Sequence, residues 1–574
     1  MVGVVKKNFL RWAVALLNGA LLSLAYPGQN WGVLAWVALM PLLGMLWKLE
    51  SRKLKRKAFL LGYLFGIGLF ASMLAWLQTV SWLGVVVLSG YLAFYPAVWA
   101  MFVARYWNPW LIAEPQGTLA RSARSLGYAM LVAGLWSGFE VLRAYAFTGF
   151  SWNGLGVAMH EQLVMMQMAD IFGVAGISFL MVFVQVVILQ VMMRMWRRAQ
   201  SGQARWGAHP DFGVAAILIC AAFLYGVVKM RQVGAMEKFP LRVLLVQVNV
   251  PQMAAQQLMS AEEIHFAYGE QVEIAMNELA EKHRQILEQA QENEVSLFYP
   301  DWLVLPEVAL NGRLISTASG ENAMWTENEQ TIEWFRESGC ETVLLGLSEL
   351  EGQREGDYLT IVENPRAWNS LVIVNKQNVE SVYRKRHLVM FGEYIPFLET
   401  LPWLKSIYEK QAGAEYNGSY SAGDQSDPLK VEVRGQKFSL IPSICFEDTV
   451  AHEARRFIRD EMQMMINVTN DGWFGRSTAA AQHFANAKFR AVELRRPMLR
   501  CANMGVSGVV SVTGASQTLL DKNGSPFLRG HLFAQVDVPV KPMFSLYQKW
   551  GDGPMMILGV ICLFLTLLRA RKSS

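Results

Sequence analysis

The feature that most constrains this chain is where its cations stand relative to its apolar runs. Eight stretches, roughly 9–26, 31–47, 58–77, 83–104, 126–147, 169–193, 212–230 and 554–568, are predominantly apolar, each close to the length a helix needs to cross a hydrocarbon layer. Lys6, Lys7 and Arg11 open the chain, and Lys48, Arg52, Lys53, Lys55, Arg56 and Lys57 fill the linker after the second run. Arg105, Arg121 and Arg124 follow the fourth, Arg194, Arg197, Arg198 and Arg205 the sixth, and Arg569, Arg571 and Lys572 close the chain. The alternate connections 27–30, 78–82 and 148–168 hold no Lys or Arg. Cations stay on the cytoplasmic side of a membrane, so the alternation predicts eight spans, both termini cytoplasmic, and everything between spans seven and eight outside. The first run is longer than a signal-peptide core and leaves through AYPGQNW, which predicts an uncleaved span.

Composition agrees with a chain that is part membrane and part soluble. Of 574 residues, 53% are hydrophobic and 17% charged, against about 25% charged in soluble proteins. The net charge of +5 comes mostly from cations flanking apolar runs, so it indicates topology and a membrane-lipid environment, with no nucleic-acid partner. Trp47, Trp82, Trp107, Trp110 and Trp152 stand where runs end, as interfacial anchors do. The outer loop FTGFSWNGLG (147–156) is a poor helix because of Gly149, Gly154 and Gly156. It reads either as part of a substrate mouth or as a plain re-entrant turn.

From about 240 to 540 the pattern changes to short β-branched runs alternating with charged helical stretches. Strands are predicted at 241–250, 302–307, 342–349, 369–375, 438–447 and 464–471, with others near MLRCANMG, GVVSVTG and HLFAQVDV, and helices at 262–294 and 482–496. In α/β sheets ligands sit at carboxyl ends of strands. LVLPE delivers Glu307 there, YRKRHLVMFGE delivers Lys385, and LIPSIC delivers Cys445. Each has an ordinary reading, as a helix cap, a solvated lysine and a buried thiol. Together they suit acyl transfer through a thioester. The nucleophile is the thiolate, a carboxylate can take the thiol proton, and an ammonium stabilises the oxyanion formed when a carbonyl is attacked. Cys220 and Cys562 lie inside spans, while Cys340 and Cys501 read as core residues. There is no CxxC or HExxH, and His387, His452 and His483 lack ligand spacing, so no metal site is predicted.

LPE with Glu307, KRHLVMFGEYIP with Lys385 and Glu393, and SICFED with Cys445 and Glu447 resemble the nitrilase (carbon–nitrogen hydrolase) superfamily. NVTNDGWFG (467–475), QHFANAKFRAVELRRPMLRCANMGVSGVV (482–510), the eight spans and the FSWNGLG loop narrow the resemblance to the apolipoprotein N-acyltransferase family. The resemblance implies an α/β nitrilase-like α-β-β-α sandwich inserted between spans seven and eight of a polytopic α-helical membrane bundle. Its boundaries would be 1–235 for the seven-span region, 236–545 for a periplasmic catalytic domain and 546–574 for the last span and cytoplasmic tail, in a bacterial inner membrane. It implies Glu307 as general base, Lys385 as oxyanion stabiliser and Cys445 as nucleophile, with Glu393, Glu447 and Phe446 in support. Trp152, Asn153, Gln247, Asn249, Trp473 and Phe474 would be substrate contacts. A phospholipid would donate the acyl chain, and the α-amine of a diacylglyceryl-cysteine N-terminus of an apolipoprotein would accept it. No cofactor is implied, and the protein would act as a monomer. The chain departs from the family pattern near Gln256, where a tryptophan is expected, and at Phe446, Met390 and Ser151, where Tyr, Pro and Pro are usual. The closest alternative is a membrane-tethered amidohydrolase with water as acceptor; a non-catalytic membrane scaffold is the alternative of another class.

Overall fold

The computed structural model describes residues 2–49, 53–111, 113–201, 207–250, 252–253, 256–257, 259–289, 299–376, 378–398, 400–412 and 418–572. Arg52, Arg205 and the side chain of Gln256 lie outside the described residues. The chain divides into two units, Met1–Gly234 with Ser545–Ser574, and Ala235–Phe544.

Among the described residues of the first unit, six helices are long and apolar enough to cross a membrane: Leu54–Met73, Trp82–Tyr106, Thr118–Tyr145, Ala169–Gln200, Pro210–Gly234 and Gly553–Arg571. The helix Val2–Ser23 precedes them. The stretch 31–47, expected as one span, is broken into a 3-10 turn at Gly32–Trp36 and an eight-residue helix at Met40–Trp47. Pro41 stands in the first turn of that helix, where its missing N–H is harmless; deeper in a continuous helix it would remove a backbone hydrogen bond and kink the chain. Eight residues rise only about 12 Å. Glycines set the closest helix contact. A Cβ on Gly19 would lie 1.9 Å from the carbonyl oxygen of Phe65, and one on Gly68 2.0 Å from that of Leu16, so only small residues allow this approach.

The loop 147–156 folds back into this unit, and Trp152 and Asn153 are buried. Arg143 donates to the Trp152 carbonyl at 3.1 Å, Glu140 accepts from Leu155 N at 2.8 Å and Trp136 Nε1 at 2.9 Å, and Gly156 N donates to Ser178 Oγ at 2.8 Å. The two charged residues that interrupt the apolar pattern of helix Thr118–Tyr145 therefore satisfy buried backbone groups of this irregular loop.

In the second unit the Val-, Ile- and Leu-rich runs become strands. The main ones are β1 Lys238–Gln247, β2 Trp302–Val304, β3 Thr342–Glu355, β4 Ala367–Asn375, β5 Asn378–Arg384, β6 Gln436–Ile444, β7 Gln463–Thr469, β8 Met498–Ala502 and β9 Gly530–Pro539. One sheet runs β5-β4-β3-β2-β1-β9, with β1, β2 and β3 parallel. The other has β6, β7 and β8 parallel at its centre. Side chains of the helices Ala261–Gln289 and Thr326–Glu337, among them Tyr268, Val272, Ile332 and Phe335, share a core with Leu244, Leu303 and Val343 of the first sheet. The sheets face each other, with Trp302 stacked on Phe438 at 5.7 Å and the Cys501 thiol donating to the Val304 carbonyl at 3.3 Å. The helix Ala479–Leu494 is the crossover between parallel neighbours β7 and β8. A crossover must lie on a sheet face, and one face is already taken, so it covers the outer one. The layers are helix, sheet, sheet, helix.

Candidate active site

Glu307 follows β2 by way of Leu305 and Pro306. Gly346 of β3 donates to the Pro306 carbonyl and accepts from Ala309 N, both at 3.0 Å. A Cβ on Gly346 would lie 2.6 Å from Glu307 Cα, so glycine is required for the carboxylate to sit this deep. Lys385 is the residue after β5. Its N–H donates to the Asn369 carbonyl and its own carbonyl accepts from Gly423 N, both at 2.8 Å. Cys445 follows β6 with φ at +52°, a left-handed value that costs a non-glycine residue about 1–3 kcal/mol. The strand stops and the 3-10 turn Cys445–Thr449 begins there.

These strand ends converge. Lys385 Nζ is 2.9 Å from each oxygen of Glu393 and 3.7 Å from Glu307 Oε1. Asn369 Nδ2 donates to Glu307 Oε1 at 2.7 Å and to Glu393 Oε1 at 3.1 Å. Glu393 Oε2 also accepts from Val389 N at 2.9 Å, which closes the loop after Lys385. Glu307 Oε2 is buried and accepts no hydrogen bond of normal geometry; the neighbouring Cys445 thiol is positioned to supply one. Burial raises the Glu307 carboxyl above the ordinary carboxylate range, opposed by Lys385. Burial also pushes the Cys445 thiol up, as does the Glu307 charge. For Lys385 burial works against the charge, but Glu393 and then Glu307 outweigh it and hold the ammonium above its usual range. The resting site is therefore a thiol beside a carboxylate of raised basicity, with a permanent cation next to both.

Glu447 ties the lysine loop to the cysteine turn. Its Oε1 accepts from Arg386 N at 2.8 Å, His387 N at 2.9 Å and the Tyr383 hydroxyl at 3.0 Å, while Oε2 accepts from Ile444 N at 2.8 Å. Burial raises it to about 7. Phe446 is half-buried and stacks on His387 with ring centroids 5.9 Å apart.

A second set of buried charges lies beneath the same turn, and sequence reasoning missed it. His483 Nδ1 is 2.7 Å from Asp471 Oδ1, and its Nε2 is 2.8 Å from Asp448 Oδ1 and 3.3 Å from the Cys445 carbonyl. Arg500 bridges the same two carboxylates through their other oxygens, at 3.2 and 3.4 Å. The partial signal was in SICFED and NDGWFG, whose acidic residues follow consecutive strands, while the histidine of QHF lies on the helix between β7 and β8.

The remaining predicted contacts are spread out. Gln247 is buried at the end of β1, with its amide bonded to the carbonyls of Pro526 and Leu528 and to the Ser507 hydroxyl. Asn249 has φ +56°, Phe474 is half-buried, and Trp473 is 46% exposed. Trp152 and Asn153 belong to the first unit.

Residues 18–187 match the apolipoprotein N-acyltransferase N-terminal domain, and residues 267–526 match the carbon–nitrogen hydrolase domain. An apolipoprotein N-acyltransferase of Geobacter metallireducens is 28% identical to this chain over 565 residues, covering 94% of this chain and 92% of the relative. One of Rhizobium rhizogenes is 28% identical, covering 94% and 93%, and one of Rhodopirellula baltica is 25% identical, covering 98% and 100%. Among solved structures, an amidase of the nitrilase superfamily from Nesterenkonia AN1 is similar at 14% identity and a TM-score of 0.29, covering 53% of this chain and 94% of that one.

Proposed function

We propose that this chain, which joins an apolipoprotein N-acyltransferase N-terminal domain to a carbon–nitrogen hydrolase domain and so belongs with the apolipoprotein N-acyltransferases, transfers a fatty acyl chain from a phospholipid to the α-amine of a diacylglyceryl-cysteine N-terminus. Glu307 takes the Cys445 thiol proton as sulfur attacks the ester carbonyl, and Lys385 stabilises the oxyanion. The tetrahedral adduct collapses, the departing lysophospholipid oxygen takes the proton from Glu307, and an acyl-Cys445 thioester remains. The acceptor amine then attacks the thioester and gives its proton to Glu307. Cys445 leaves as thiolate and recovers that proton, so the enzyme ends as it began. Oxygen ester to thioester to amide needs no input beyond the two substrates.

The observation that carries this reading is the meeting of Glu307, Lys385 and Cys445 from three strand ends, with Glu307 Oε1 3.7 Å from Lys385 Nζ and the thiol beside the same carboxyl. Glu393 and Asn369 position the pair, and Glu447 holds the two loops in register. We further propose eight crossings of a bacterial inner membrane, with termini cytoplasmic and residues 236–545 periplasmic. The helix Val2–Ser23 and the broken stretch Gly32–Trp47 are the additional two, since cations flank that pair on both sides. Trp473 and Phe474, next to the strand ends, are proposed to touch substrate. The segment Phe397–Tyr420 carries exposed Phe397, Trp403 and Ile407 and is proposed to rest in the outer leaflet; its residues 399 and 413–417 lie outside the described ones.

The test is intact mass after incubating the purified protein with phospholipid. A fatty-acyl adduct should form on Cys445, be discharged as amide by a diacylglyceryl-cysteine peptide, and be absent in Cys445→Ala. Discharge by water alone would make the protein a hydrolase, and an adduct in the alanine variant would end the mechanism.

A further inference from the structure

We propose that His483, carried as imidazolium, is a positioning residue for the nucleophile: it holds the Cys445 carbonyl and keeps the buried charge beneath that residue at zero. The inference rests on the reading of Cys445 as nucleophile and adds a group that never touches substrate.

The geometry dictates the protonation. A neutral imidazole has one N–H and one lone-pair nitrogen. Here each ring nitrogen stands within 2.8 Å of a different carboxylate, so a neutral ring would aim its lone pair at an anion. With both nitrogens protonated, each donates to a carboxylate oxygen. Arg500 occupies the remaining oxygens of those carboxylates and donates to the Val506 carbonyl at 2.8 Å. The four side chains form a closed ring of alternating sign, two cations and two anions, each no more than 2% exposed. Among the groups facing His483 are Asp448 from the turn after β6, Asp471 from the turn after β7, Arg500 from β8, and Cys445 itself. On its own helix Lys488 is buried, and Arg490 pairs with Glu493 at 2.8 Å. Burial opposes the imidazolium charge, but Asp448 and Asp471 outweigh it and hold the ring at about 9.

The ring also fixes where the sulfur points. Cys445 has left-handed φ and must be held there. Its carbonyl accepts from Asn467 Nδ2 at 3.1 Å and from His483 Nε2 at 3.3 Å. Removing the imidazolium proton leaves one uncompensated negative charge in low dielectric beneath the group that must itself become negative, which opposes thiolate and oxyanion alike.

The experiment reads the sulfur directly and so does not depend on acyl transfer. The full-length protein in detergent is alkylated with iodoacetamide at pH 7.5, and Cys445 modification is followed by intact mass and peptide mapping in the parent, H483Q, and H483Q/D471N. Thermal unfolding establishes which variants are folded. H483Q should slow Cys445 alkylation at least about 10-fold, one unit of thiol pKa. The double variant, in which charge balance returns, should recover at least a third of the lost rate. A merely structural histidine predicts the opposite, with the second lesion adding to the first. Parent-like alkylation in folded H483Q, or a double variant slower than the single one, overturns the proposal. If H483Q does not fold, H483K, which keeps the charge, should alkylate faster than R500Q, which leaves one carboxylate of the ring uncompensated; the reverse order overturns it as well. If acyl transfer itself fails while these rates behave as expected, the functional reading falls and the positioning role stands.

Discussion

Two clusters of buried charge flank Cys445, and they are built on different principles. On the thiol side, one cation, Lys385, serves two carboxylates, Glu307 and Glu393, and one oxygen of Glu307 is left without a normal hydrogen bond. On the carbonyl side, two cations and two carboxylates close on each other and saturate. An uneven cluster has an acceptor to spare and can take a proton. An even one has nothing to give up and can only hold its shape. The difference suits the first to the proposed chemistry and the second to the proposed positioning, and substitutions can be aimed at each separately.

The largest effect should come from emptying the uneven cluster. Lys385→Met leaves two buried carboxylates facing each other without their cation. Acylation of Cys445, followed by the intact-mass adduct, should fall at least about 100-fold, the usual scale for an oxyanion group. The same change should cost about 3–5 kcal/mol of stability, as breaking a buried pair does. The loss should shrink in acid, where Glu307, already raised by burial, can protonate. A variant as stable at pH 8 as at pH 5 would mean that Lys385 is not the counter-charge.

A subtler blow reaches the base through the backbone. Gly346→Ala places a Cβ 2.6 Å from Glu307 Cα, where neither backbone can yield without moving the carboxylate away from Lys385 and the thiol. The acylation rate constant should drop about 10-fold or more, because a shift near 1 Å at a reacting group is enough for that. The acceptor step should drop in parallel if Glu307 serves both half-reactions as proposed. Loss in one half-reaction alone would separate the base of acylation from that of transfer.

How far the sequence reaches differs between the clusters for a physical reason. Lys385 follows the mixed strand NVESVYR and stands out by the RKRHLVMFGE motif. Glu307 and Cys445 each follow a short apolar run, and a run of Val, Ile or Leu that stops on a polar residue is visible in one dimension. β1, β3 and β4 are legible for the same reason. The members of the even ring are not. Asp448, Asp471, His483 and Arg500 sit in two turns, one helix and one strand, and only the parallel register of β6, β7 and β8 brings them together. His483 could be rejected as a metal ligand from its spacing, but nothing local showed that both its nitrogens face carboxylates. Glu140 and Arg143 likewise look like flaws in a span until the loop they satisfy folds back onto them. The break in 31–47 was readable in principle from Pro41, yet the apolar run around it reads as one segment. The short strands at Arg313–Thr317 and Tyr358–Ile361 carry too little apolar alternation to be seen.

The even ring should declare itself through pH. The folded-state pKa of His483, about 9, lies above the unfolded value near 6.5. The stability it contributes is therefore fully present below pH 6.5 and is lost as pH rises through 9. The change is on the order of a few kcal/mol, at about 1.4 kcal/mol per pH unit between the two values. Thermal unfolding of the full chain between pH 6 and 10 should show this decline, and His483→Gln should flatten it. The uneven cluster should instead set the acid limb of acylation. Glu307 is raised by burial, so activity should fall, as pH drops, at a pH above the ordinary carboxylate range. An alkaline stability profile unchanged in the glutamine variant would remove the ring from the account.

The smallest effect is expected outside both clusters, at Trp473. It sits in the turn after β7, two residues beyond Asp471, and is 46% exposed. An aromatic surface left half in water by its own fold is available to a lipid chain or to the lipidated cysteine. Trp473→Ala should leave melting nearly unchanged, within about 0.5 kcal/mol, as substitutions at the surface usually do. Its effect should appear instead as a rise of several-fold in the KM for one substrate, with the acylation rate at saturation kept. If melting falls steeply and KM stays constant, Trp473 is a packing residue of the Asp471 turn, and the even ring extends one residue further toward the surface than its hydrogen bonds show.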